Sequence, residues 1–182
     1  LYMIKLIATD IDGTLVKDGT LIIDPEYMTV ISKLIDKGII FTVCSGRQFS
    51  SEQKLFAPIK DKLMYITDGG TVVRTPDRIL KTYPMSNELW KDMCRMVRDE
   101  LPACDYFAAS PDLCYAEDGA SPIFHRLRDS YGFEMREIDD LTKLENDDII
   151  KFTVYHPDSC EELCSPHFIP AWKDKAHVTS AG

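Results

Sequence analysis

No apolar run in these 182 residues is long enough to cross a bilayer, and the first residues carry no signal-peptide pattern, so the expectation is a globular, cytoplasmic chain with no membrane contact. Basic residues are outnumbered, 21 to 30, for a net charge of −9, and they form no cluster. A nucleic-acid surface is therefore not expected, and an anionic ligand must be met by local donors rather than by the global field. The six cysteines contain no Cys-x-x-Cys pair and no zinc spacing. They read as reduced thiols. The four histidines, all in the second half, also lack metal-ligand spacing.

What the sequence does have begins at its start. Met3 to Ala8 is a nearly unbroken apolar run that reads as a buried parallel strand. It empties into Asp10 and Asp12, followed by Gly13, Thr14 and Leu15. In an open α/β sheet, ligands sit outside the carboxyl ends of the strands, where these two acids fall. One carboxylate can act as a nucleophile while its neighbour manages a proton, and a hard cation can offset their repulsion.

Val16 to Leu21 reads as a small hairpin turning on Asp18-Gly19. Asp24-Pro25 then caps a helix with Met28, Ile31, Leu34 and Ile35 on one face, closed by Gly38. Ile39 to Cys44 is a second apolar strand, which makes a βαβ unit and predicts a parallel sheet. That strand ends in Ser45-Gly46-Arg47, ahead of a helix from Gln48 to Phe56. A hydroxyl and a small residue leading into a helix make an anion site. Adjacent parallel strands would bring this loop and the Asp10–Asp12 loop to one rim. Met64 to Thr67 is a third strand, and Asp68-Gly69 reads chiefly as a hairpin turn into Thr71–Val73 and then Ile79–Tyr83.

Beyond Pro84 the pattern changes. A helix from Ser86 to before Pro102 is followed by strands at Asp105–Ala109 and Leu113–Glu117. A helix opening on Ser121-Pro122 leads to strands at Phe133–Ile138 and Ile149–Tyr155. Asp158 is expected to cap a short helix over Ser159–Cys164, and Ala176–Ser180 reads as a last strand. The acid pairs Asp139-Asp140 and Asp147-Asp148 read as solvated turns. This order is that of an α+β unit rather than a continued parallel sheet.

The Asp-x-Asp-Gly-Thr-Leu and Ser-Gly-Arg stretches resemble the first and second motifs of the haloacid-dehalogenase-like phosphohydrolases, in the version typical of the Cof-type subfamily. The resemblance implies an α/β fold with a Rossmann-like parallel-sheet core over residues 1–83, here partial, and an inserted α+β type-C2 cap over 84–182. It implies that Asp10 attacks phosphorus to give an aspartyl-phosphate and that Asp12 protonates the leaving group and later activates water. It further implies that Ser45, Gly46 and Arg47 hold the phosphate, and that Mg²⁺ is held by Asp10 and the Asp12 carbonyl. The substrate class so implied is a small phosphorylated metabolite such as a sugar phosphate.

The chain departs from the family pattern in one respect. The family's later lysine and Gly-Asp-type acidic loop have no counterpart after Pro84, so the expectation is an N-terminal fragment lacking the last part of the core, with impaired turnover. The alternative is a protein, or inactive fragment, that binds a phosphate ligand without turning it over. A phospho-acceptor receiver domain also uses strand-end aspartates, but the Gly13-Thr14 sequel and the α+β insertion fit it poorly. Neither substrate identity nor oligomeric state is fixed at this level, although an exposed sheet edge would favour association.

Overall fold

The computed structural model describes residues 3–17, 19–145 and 148–180. The first half builds a five-stranded sheet in the order β1-β2-β3-β4-β5. Its strands are β1 (Leu6–Thr9), β2 (Ile40–Cys44), β3 (Met64–Thr67), β4 (Val72–Arg74) and β5 (Ile79–Thr82). β1, β2 and β3 run parallel, and β4 and β5 add an antiparallel hairpin at one side. Helices α1 (Pro25–Asp36) and α2 (Phe49–Leu55) form the crossovers. Asp24 caps α1 by accepting from the Glu26 N–H at 2.8 Å, and Gly38 supplies the positive φ of 82° that ends it.

Two successive crossovers of one hand put both helices on the same face of a sheet ordered 1-2-3. Ile7, Phe41, Val43 and Tyr65 share that face through the strand register and pack with Ile31 and Leu55 into one core. The opposite face, at Leu6 and Ile40, stays exposed. This corrects the expectation of a fully buried first strand. β1 has helices over one face only, and its residues are alternately half-buried and exposed.

The second half carries a four-stranded sheet in the order β8-β7-β6-β9. Its strands are β6 (Asp105–Ala109), β7 (Cys114–Ala116), β8 (Met135–Glu137) and β9 (Lys151–Tyr155). β6 pairs antiparallel with both β7 and β9, while β7 and β8 are parallel. Helix α3 (Asn87–Glu100) is capped by Ser86 and buries Trp90, Met93, Cys94 and Val97. The short α4 (Pro122–His125) continues as a wide turn through Ser130.

The end of the chain differs from the sequence reading. Ser159, not Asp158, caps α5 (Cys160–Leu163), accepting from the Glu162 N–H at 3.2 Å. A further helix, α6 (Ser165–Trp172), follows at once and buries Phe168 and Trp172 against Met93 and Val97. Residues 176–180 are not a strand. They pair with no strand among the described residues, and Ala176 and Val178 pack instead against the α3–α6 cluster.

Asp140 is not a solvated turn either. It accepts from Arg98 Nη2 at 2.6 Å and from the Thr142 N–H at 3.0 Å, and the Arg98 hydrogen bond holds its carboxyl well below the usual range. Asp147 and Asp18 lie outside the described residues, and no strand pairing flanks Gly19 among those described.

Candidate active site

The loop after β1 is a tight turn. The Ile11 carbonyl accepts from the N–H groups of Thr14, Leu15 and Val16, and Gly13 takes a φ of 75° that a side chain would strain. Ile11 itself is fully buried, which anchors the turn and leaves Asp10 exposed and Asp12 half-buried at its mouth. Thr14 Oγ1 donates to Asp10 Oδ2 at 3.3 Å.

The loop after β2 meets it at the same rim, because Thr9 is in register with Val43. The Ser45 N–H continues the ladder by donating to the Ile66 carbonyl at 3.0 Å. Ser45 Oγ accepts from the Arg47 N–H at 3.2 Å, which leaves its own hydroxyl hydrogen available to donate. The turn after β3 is laced to the same loop, with Gly69 N–H on Ser45 O and Asp68 N–H on Arg47 O. Asp10, Asp12, Ser45 and Gly46 thus gather at the carboxyl ends of two neighbouring strands.

Arg47 is turned differently from the sequence expectation. Its guanidinium is buried and forks onto Asp12, with Nε on Oδ2 at 2.8 Å and Nη2 on Oδ1 at 2.6 Å. Nη2 also donates to the Thr20 carbonyl at 2.9 Å and Nη1 to Ser51 Oγ at 3.3 Å. Its donors therefore hold an acidic side chain and its own scaffold.

Asp68 does more than turn a hairpin. It takes a left-handed φ of 53°, is 2 % exposed, and accepts from Thr67 Oγ1 at 2.9 Å, while Oδ1 has no protein partner. Burial pushes its carboxyl up to about 6, and the charge of Lys151 offsets part of that rise. Glu52 on α2 is fully buried with neither oxygen partnered, and burial, followed by the charge of Asp68, raises it well above the usual range. No sequence pattern separates these two acids from ordinary surface carboxylates.

The second sheet closes over this rim. The Gln48 side-chain amide pairs with the backbone of Glu134, accepting from its N–H at 2.7 Å and donating to its carbonyl at 3.3 Å. Lys54 Nζ donates to the Gly132 carbonyl at 2.7 Å. The Tyr131 ring lies 5.0 Å from the Arg47 guanidinium, and from β9 Lys151 Nζ donates to the Gly46 carbonyl at 3.0 Å. A cleft of about 960 Å³ between the two sheets is lined by Asp12, Gly46, Arg47, Asp68, Tyr131 and Lys151, among others.

Among the described residues, no group of three or more His, Cys, Asp or Glu side chains gathers to hold a metal. What the rim offers a hard cation is the exposed Asp10 carboxylate, with half-buried Asp12 on the same loop. That set suits Mg²⁺, which uses one or two carboxylates and completes its shell with water and substrate phosphate. Away from the rim, Cys104 Sγ and Cys164 Sγ approach to 3.1 Å as free thiols, a proximity across 60 residues that spacing does not announce.

Two strand-end loops, one acid-rich and one hydroxyl-bearing, on a parallel sheet with helical crossovers define the class. The sequence profile of the haloacid dehalogenase-like hydrolases matches residues 7–182, and the chain belongs to that family. A crystal structure of a protein from Eubacterium rectale is 80% identical, with a TM-score of 0.87 over 98% of this chain and 68% of that one. The 5-amino-6-(5-phospho-D-ribitylamino)uracil phosphatase YbjI of Escherichia coli is 26% identical over 147 residues, covering 79% of this chain and 52% of its own. The phosphatase of the same description from Bacillus subtilis, YwtE, is 32% identical over 87 residues, covering 48% of this chain and 30% of its own. The matched stretches thus span about half the length of the E. coli relative and less than a third of the B. subtilis one.

Proposed function

We propose that the chain carries the nucleophile and phosphate site of a Mg²⁺-dependent phosphomonoester hydrolase. Asp10, exposed at the end of β1, attacks phosphorus and forms an aspartyl-phosphate as the P–O bond to the leaving group breaks. Asp12 delivers a proton to the departing oxygen and later takes one from water, which frees phosphate and restores Asp10. Ser45 and Gly46 hold the phosphoryl oxygens. The Asp10 carboxylate and the Asp12 carbonyl would hold Mg²⁺, which supplies positive charge for the phosphoryl oxygens.

The observation that carries this reading is the meeting at one rim of the Asp10–Asp12 loop and the Ser45–Gly46 loop, which the fork from Arg47 to Asp12 ties together. Residues 1–83 serve as the catalytic core and residues 84–182 as the cap that selects substrate. The E. coli and B. subtilis relatives are named for a ribityl phosphate. A small phosphorylated metabolite of the sugar-phosphate or polyol-phosphate type is accordingly the substrate class proposed here.

The test is Mg²⁺-dependent hydrolysis of an aryl phosphate by the chain and by its Asp10→Asn variant. Turnover that needs the metal and vanishes in the variant supports the reading. A second reading, phosphate binding without turnover, is favoured by the hold of Arg47 on both Asp12 carboxylate oxygens, which leaves neither free to carry a proton. Phosphate binding by both proteins with hydrolysis by neither would select it.

A further inference from the structure

Most cations lining the cleft are already engaged. Arg47 is committed to Asp12, Thr20 and Ser51, and the Arg126 guanidinium lies 5.7 Å from the Tyr131 ring. Lys151 is placed otherwise. It opens β9, an edge strand of the second sheet, and reaches across the cleft to the Gly46 carbonyl at 3.0 Å. A neutral carbonyl takes one of the three ammonium hydrogens and cancels none of the charge. Gly46 directly follows Ser45, so this charge stands on the loop that would hold a phosphate.

A purely structural tie between the sheets is the competing account, and that task has other agents. Arg74 Nη1 pairs with Asp112 at 2.5 Å, and Gln48 and Lys54 grip Gly132 and Glu134. None of these contacts needs Lys151. An ammonium set on a carbonyl, in a cleft that Asp12, Asp68, Gly46 and a committed arginine also line, is instead a donor held ready for an anion.

We infer that Lys151 is a substrate-binding residue, whose ammonium contacts an oxygen of the phosphate held at Ser45 and Gly46. The inference rests on the phosphate-site reading given above. It makes the second sheet a contributor of charge to the phosphoryl group, in addition to selecting what is attached to it.

The test is calorimetric titration with inorganic phosphate and Mg²⁺ of the wild type, Lys151→Met, Lys151→Arg and Ser45→Ala, with thermal melts of each. A charge-assisted hydrogen bond lost from the complex predicts at least about a tenfold weaker Kd in Lys151→Met. Lys151→Arg should recover most of the affinity and melt as the wild type does, and Lys151→Met should still unfold in one cooperative melt above the titration temperature. If Ser45→Ala weakens binding and Lys151→Met does not, the Lys151 assignment is overturned while the phosphate site stands. If Ser45→Ala binds phosphate as tightly as the wild type, the site reading itself fails.

Discussion

Arg47 grips both carboxylate oxygens of Asp12, at 2.8 and 2.6 Å, from a position 35 residues further along the chain. The guanidinium is 2 % exposed and is fixed in turn by the Thr20 carbonyl, Ser51 and the Tyr131 ring. A planar fork so held sets the direction of the Asp12 side chain, which a point charge does not.

Arg47→Lys keeps the charge and loses the fork. Steady-state kinetics on an aryl phosphate should show kcat reduced by about tenfold to a hundredfold, with a smaller change in KM, because in the proposed mechanism a misaligned proton carrier slows the step without removing the phosphate site. Wild-type kcat in this variant would contradict a positioning role.

Asp68 predicts a pH-dependent stability. Burial raises it from 3.8 to about 6, so the folded chain keeps a proton that the unfolded chain has released between those values. Its contribution is fully present below about pH 4 and is lost as pH rises through about 6. Asp68→Asn retains a residue type that tolerates the φ of 53° and removes the buried charge. Denaturation curves should show the variant more stable than the wild type near neutral pH, by up to about 3 kcal/mol, and the two should converge near pH 4. A difference that does not vary with pH would argue against ionisation of this carboxyl as the cause.

Gln48 joins the two sheets through the backbone of Glu134 and is fully buried. Gln48→Leu leaves that N–H without its acceptor, while the carbonyl keeps its bond from the Cys114 N–H, at a cost of about 1–3 kcal/mol. Hydrogen exchange at the Glu134 amide should accelerate accordingly, ahead of the amides of β2 and β3. Unchanged exchange there would show that the closed arrangement is held elsewhere.

Much of the fold was legible because the local signals agreed with one another. Met64–Thr67 and Asp105–Ala109 are strands with the bounds that their apolar runs suggest, and Asp24, Ser86 and Gly38 cap helices as their residue types require. The misses came where a local signal opposed a packing contact. Pro166 and Pro170 argue against a helix, yet Pro166 falls in the tolerant first turn, and Phe168 and Trp172 bury on one face of α6. Ala176 to Ser180 is apolar enough for a strand and finds a helical surface rather than a sheet edge.

At the rim, Asp10, Asp12, Ser45 and Gly46 stand just past the strand ends that the apolar runs predict. The direction of the Arg47 side chain, the burial of Asp68 and Glu52, and the reach of Lys151 depend on contacts between distant segments. No spacing within one segment records them.

The account rests on Asp10 as the residue that accepts the phosphoryl group. The most direct measurement is mass spectrometry of the chain after acid quench during turnover of a phosphomonoester with Mg²⁺. The account predicts phosphate on the peptide that carries Asp10, released by hydroxylamine and absent from the Asp10→Asn variant. Phosphate on Ser45, or hydrolysis that persists in the variant, would contradict it.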